Sequence, residues 1–136
     1  MVYTILPYIG IGDLKLNADR EEVRNFFDNK YNEFRKSETS ENTTDDFEFC
    51  HAYYDREDKL KAVEFFNDEN VDIIYNDESL LKISYTRLKE ILKNSKLEIE
   101  DCGFTDYYNG IAGYTSSNDE NESVETILIF RKGYYD

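Results

Sequence analysis

The chain has 136 residues, with 30 acidic against 16 basic side chains, a formal net charge of −14. That length fits one domain around one core. That charge sets aside nucleic acid and anionic membrane surfaces as direct partners and leaves a basic protein as a fitting one.

The opening "MVYTILPYIG" lacks the basic start of a signal peptide, and no apolar run reaches the length of a membrane span. The expected location is therefore cytoplasmic. "IGIGDLKLNADREEVRNFF", residues 9–27, begins with Gly-x-Gly, but a dinucleotide loop needs a strand before its glycines and a helix directly after them. Here Gly10 and Gly12 precede a strand-like Leu14-Lys15-Leu16, so they read as a turn into a strand. Asp19 and Glu22 stand at capping-box spacing. Val23, Phe26, Phe27, Tyr31 and Phe34 recur at helical spacing, which predicts one amphipathic helix over about 19–36. The polar run 37–46 reads as a connector.

"DDFEFCHAYYD" and "KLKAVEFF" are strand-rich and flank the polar turn Asp55-Arg56-Glu57-Asp58, the pattern of an antiparallel hairpin. Val71 to Tyr75 reads as a linking strand. Ser84 is the expected N-cap of a second helix over about 84–95, with Tyr85, Leu88, Ile91 and Leu92 on one face. "CGFTDYYNGIAGYT" and "SVETILIF" then form a second hairpin-like pair. Cys50 and Cys102 lie in apolar, strand-like surroundings and read as reduced, structural thiols.

The order strand, helix, hairpin thus occurs twice. Leu14-Lys15-Leu16-Asn17 aligns with Leu81-Lys82-Ile83-Ser84, and Val63-Glu64 with Val124-Glu125. The expected fold is α+β: one domain of two tandem strand-helix-hairpin units, about 9–66 and 78–131, with both helices on one face of an antiparallel sheet. The other sheet face would be free for a partner.

This tandem pattern resembles the β-lactamase inhibitory protein architecture. The stretch "GDLKLNADREEV" is also similar to the opening of small bacterial proteins of that type, some of which are toxin-neutralising immunity proteins. It departs from them at Asn17-Ala18-Asp19. The resemblance implies a non-enzymatic inhibitor that binds a protein through its open sheet face.

Signals for chemistry are sparse. His51, the single histidine, follows Cys50 in a strand, where neighbouring side chains point to opposite faces. No zinc or calcium spacing occurs, and no metal or other cofactor is expected. Glu64 and Glu125 interrupt apolar strand segments at matching places in the two units, so each must face solvent or a partner. Together with Tyr53, Tyr108 and Tyr114 they form the expected partner-binding set, because aromatic residues on a free face supply an interface core. The expected partner is a basic toxin or enzyme, and the protein itself a monomer or weak homodimer. An alternative makes it an acidic hydrolase or small-molecule-binding module using Glu64 and Glu125.

Overall fold

β-Branched and aromatic residues are frequent in segments such as "CHAYY", "AVEFF" and "TILIF", and such residues fit a pleated, half-buried surface. The computed structural model describes residues 1–136. In chain order its elements are β1 (Val2–Leu6), β2 (Gly10–Ile11), β3 (Leu14–Lys15), α1 (Arg20–Phe26), β4 (Asn32–Phe34), β5 (Thr44–Asp46), β6 (Cys50–Tyr54) and β7 (Leu60–Phe66). They continue as β8 (Asp72–Tyr75), β9 (Glu78–Ser79), α2 (Tyr85–Ile91), β10 (Leu97–Glu100), β11 (Gly103–Asp106), β12 (Ile111–Tyr114) and β13 (Thr126–Phe130).

A five-stranded sheet runs β3-β2-β1-β8-β9, and an eight-stranded sheet runs β10-β11-β12-β13-β7-β6-β5-β4. Each half of the chain supplies one helix followed by four antiparallel strands. The last strands of the two sets, β7 and β13, pair at the centre of the large sheet, with Glu64 opposite Leu128.

The expected α+β architecture is corrected by this structure. The fold is mostly β, with 38% of residues in strands and 10% in helices, and the strands form two sheets. Both helices are short because local chemistry stops them. After α1, Asp28 and Asn29 take positive φ of 62° and 59°, a left-handed geometry that Asx residues tolerate best among non-glycines. Tyr31 and Phe34, expected on the helix, fall beyond it, and Phe34 joins β4. At the end of α2, Asn94 Nδ2 donates to the Leu92 carbonyl (2.8 Å). The strand expected at 81–83 stands instead at Glu78–Ser79 as β9.

The N-terminal segment, which carries no clear alternation, becomes a strand through long-range pairing. β1 lies parallel to β8, with Val2 opposite Asp72 and Tyr3 opposite Ile73. This overturns the expectation of one purely antiparallel sheet. The Gly-x-Gly segment serves the same small sheet. A Cβ on Gly10 would lie 2.1 Å from the Leu14 carbonyl oxygen, and Gly12 turns the chain from β2 to β3 at φ +58°. Asp19 occupies the N-cap of α1 without a side-chain capping bond, because its carboxylate is held by Lys59. Ser84 does cap α2, accepting from Arg87 N–H at 3.1 Å.

One core of 26 buried residues joins these parts. It draws Val23 and Phe27 from the α1 region, Leu88 and Leu92 from the α2 region, and Ile5, Ile11 and Ile73 from the small sheet. From the inner face of the large sheet come Cys50, Val63, Phe65, Ile127 and Ile129. A register shift between Tyr53 and Tyr54 leaves Lys61 as the extra residue of a bulge, so that Leu60 and Val63 both turn inward. At the α1 side, the fully buried Asp45 accepts from Arg24 Nε (2.8 Å), Arg20 (3.2 Å) and the Tyr54 hydroxyl (2.9 Å).

Candidate functional site

Strand alternation sends every second residue of the large sheet away from that core. His51 and Tyr53 of β6, Ala62, Glu64 and Phe66 of β7, Thr126, Leu128 and Phe130 of β13, and Ala112 and Tyr114 of β12 share this outer face. Tyr53, Ala62, Ala112 and Phe130 form a small second cluster there. The outer face, expected from the sequence to be open, is partly covered. The C-terminal segment folds back over it: the ring of Tyr134 stacks on Phe130 with centroids 5.7 Å apart, and that of Tyr135 meets Phe130 edge-on at 5.1 Å.

The polar heart of the face is a short chain of groups. Lys36 Nζ donates to the Tyr53 hydroxyl (3.0 Å), which donates to Glu64 Oε1 (2.6 Å). Burial and the adjacent Glu64 carboxylate push the Tyr53 phenol well above its ordinary pKa, so it stays a donor at neutral pH. Burial, helped by Tyr135 and Glu64, likewise pushes Tyr134 up to about 12. Glu64 makes no ion pair within the chain. It opens into a shallow groove of about 240 Å³ that also exposes Glu100, Leu128, Tyr114 and Tyr135.

A second aromatic group lies toward the β4 side. The His51 ring sits between Phe34 (5.3 Å) and Phe66 (4.8 Å), with Nε2 3.4 Å from Asp46. Burial lowers its pKa, and the opposing pull of Asp46 and Glu64 does not restore it.

The structure separates the five expected contact residues. Tyr53, Glu64 and Tyr114 share the outer face, but Tyr53 is largely buried in the satellite cluster, whereas Tyr114 is about half exposed (47%). Tyr108 is the most exposed of the three tyrosines at 65%. It lies in the turn before β12, at the opposite end of that strand from Tyr114, and its N–H donates to Asp106 Oδ1 (3.0 Å). Glu125 precedes β13 and is bound by Ser116, whose N–H and hydroxyl donate to its two oxygens at 2.8 and 2.9 Å. It stands level with Asn67, whose N–H donates to its carbonyl (2.9 Å), and it does not line the groove with Glu64.

Leu128, Phe130, Tyr134, Tyr135 and Lys36 belong to the face but not to the expected set. The alternation in "TILIF" could have assigned Leu128 and Phe130 to Glu64's side. Gly133, at φ 81°, marks a turn after β13, but nothing local assigns Tyr134 and Tyr135 to the sheet surface. Cys50 is buried, and Cys102 is exposed in the tight turn between β10 and β11 rather than in a strand. No three His, Cys, Asp or Glu side chains come together as a metal site. No helix is long and apolar enough to cross a membrane.

No protein-family model, no curated protein and no solved structure matches this chain.

Proposed function

We propose that this is a non-enzymatic binding protein that neutralises a basic protein, a toxin or an enzyme, by docking it on the outer face of the eight-stranded sheet. The observation that carries this reading is Glu64: a half-buried carboxylate without a cation of its own, set among Leu128, Tyr114 and Tyr135. Apolar and aromatic area would supply the interface core, and Glu64 would meet a partner's lysine or arginine where that area excludes water. The charge of −14 supports the choice of a basic partner, since it would speed encounter. The tandem helix-and-meander order supports the immunity or inhibitor role that the sequence resemblance implies. A hydrolase built on Glu64 and Glu125 has less support, because Ser116 holds Glu125 away from the groove.

The test is capture of a partner from extracts of the native host by the wild-type protein and by Leu128→Lys and Tyr114→Ala variants, followed by binding and activity assays with the purified partner. A buried contact of this kind is worth about 2 kcal/mol, so the variants should bind at least tenfold more weakly, and the wild type should suppress the partner's activity. A partner bound equally well by both variants would overturn the assignment of this face.

A further inference from the structure

The large sheet ends in an edge that is open and charged in a specific pattern. β10 pairs only with β11, with Glu98 opposite Thr105 and Ile99 opposite Phe104. The Lys96 carbonyl accepts from Tyr107 N–H (3.2 Å). Bonded and non-bonded positions alternate in an antiparallel ladder, so Glu98 and Glu100 turn their main-chain groups to β11, and Ile99 turns its N–H and C=O outward. The Ile99 side chain is 52% exposed. Glu98 and Glu100 are exposed, lie on one face, and engage no cation or hydrogen-bond donor.

The opposite edge differs. β4 is three residues long, and the carboxylate of its Glu33 is already held by Arg24 (2.9 Å) and Thr43 (2.7 Å).

We propose that the β10 edge accepts an extended segment of a partner protein by strand addition, with lysine or arginine opposite Glu98 and Glu100 and an apolar residue between them opposite Ile99. Strand addition takes its affinity from main-chain hydrogen bonds and its specificity from alternate side chains. The charge pattern selects the occupant. A second copy pairing antiparallel would set Glu98 against Glu98, or Glu98 against Glu100, in the registers centred on Glu98 or Ile99, and like charges directly opposite are destabilising. Lys96 precedes the strand on the same side, so the basic positions belong beside 98 and 100 only. This site is separate from the groove at Glu64, although Glu100 borders both.

The experiment uses a short blocked peptide of alternating lysine and valine, and an isomer of equal composition with its lysines grouped together. Amide exchange and chemical shifts of the labelled full chain are followed by NMR. Saturating alternating peptide should slow exchange of the Ile99 amide, and the grouped isomer should bind more weakly. Ile99→Pro removes the outward donor at a position where an edge strand tolerates proline. It should weaken the alternating peptide about tenfold with circular dichroism unchanged, and Leu128→Lys should leave peptide binding intact. Equal binding of both peptides, an unprotected Ile99 amide, or shifts confined to Leu128 and Tyr135 would overturn the proposal while leaving the outer-face reading standing. If Ile99→Pro does not fold, the Glu98→Lys/Glu100→Lys variant decides, since binding that survives it would also overturn the proposal.

Discussion

Replacing Asp45 with asparagine removes one negative charge from the most completely buried ion cluster of the protein. Asp45 has no exposed surface and receives two hydrogen bonds of 2.8 Å from Arg24, one of 3.2 Å from Arg20 and one of 2.9 Å from Tyr54. The hydrogen bonds it accepts from the Arg24 guanidinium are the largest cause raising that group's pKa above its ordinary value. Asparagine keeps the shape but turns an NH₂ toward donors. Removing one partner of a buried pair costs about 3–5 kcal/mol, because the other charge stays buried and uncompensated. Glu33 remains 2.9 Å from Arg24 and Asp58 3.3 Å from Arg20, and both are near solvent, so the lower end applies. The expected loss is about 3 kcal/mol out of a total of about 5–15 for a domain of this size. Urea unfolding followed by circular dichroism would read the loss directly, and the melting temperature should drop by roughly 10 °C. Glu78→Gln, which breaks an exposed pair with Arg87 (3.0 Å), should cost far less, because solvent screens such a pair. An Asp45→Asn loss as small as that control would refute the view that this cluster fastens α1 to the sheet edge.

His51 is the only imidazole, so its NMR titration is unambiguous and should give a pKa below the ordinary value of about 6.5. The folded state then binds its proton less readily than the unfolded chain. Stability from this group is full above about 6.5, falls as pH drops toward the folded pKa, and is flat below it. That slope should vanish in His51→Phe, and a folded pKa above 6.5 would contradict the buried aromatic setting. Tyr53→Phe removes the donor to Glu64 and should cost about 1 kcal/mol in urea unfolding, with a larger effect on partner binding if Glu64 is thereby misdirected. Gly10→Ala should destabilise the small sheet by more than about 1 kcal/mol, because the added carbon meets main chain at Leu14; an unchanged melting temperature would show that β2 and β3 yield freely. Association with a basic partner should slow as salt rises past physiological strength, where the screening length is about 8 Å, and a salt-independent rate would remove electrostatic steering from the proposal.

Much of the local structure was legible in the chain itself. The hairpin of β6 and β7 follows from alternation around Asp55–Asp58, and the start of α2 from Ser84, because both depend on neighbours a few residues away. The inward set Cys50, Ala52 and Tyr54 follows from parity within one strand. Helix length was not legible. The apolar spacing from Val23 to Phe34 continues past the point where Asp28 and Asn29 reverse the backbone, and β4 instead takes its conformation from pairing with β5. The β1–β8 pair was equally hidden, since its partners lie about seventy residues apart and a parallel pairing leaves no turn between them to read. Parity beyond a turn was also lost: Phe47 sits in the main core although Tyr53, which shares its odd numbering, lies on the outer face, because the positive φ of Glu48 resets the alternation. The candidate site divides in the same way. Glu64 and Tyr114 are placed on the outer face by strand alternation alone. The cover of Tyr134 and Tyr135, the attachment of Glu125 to Ser116, and the open edge at Ile99 were decided by tertiary structure, because each depends on which distant segment comes to lie beside which strand.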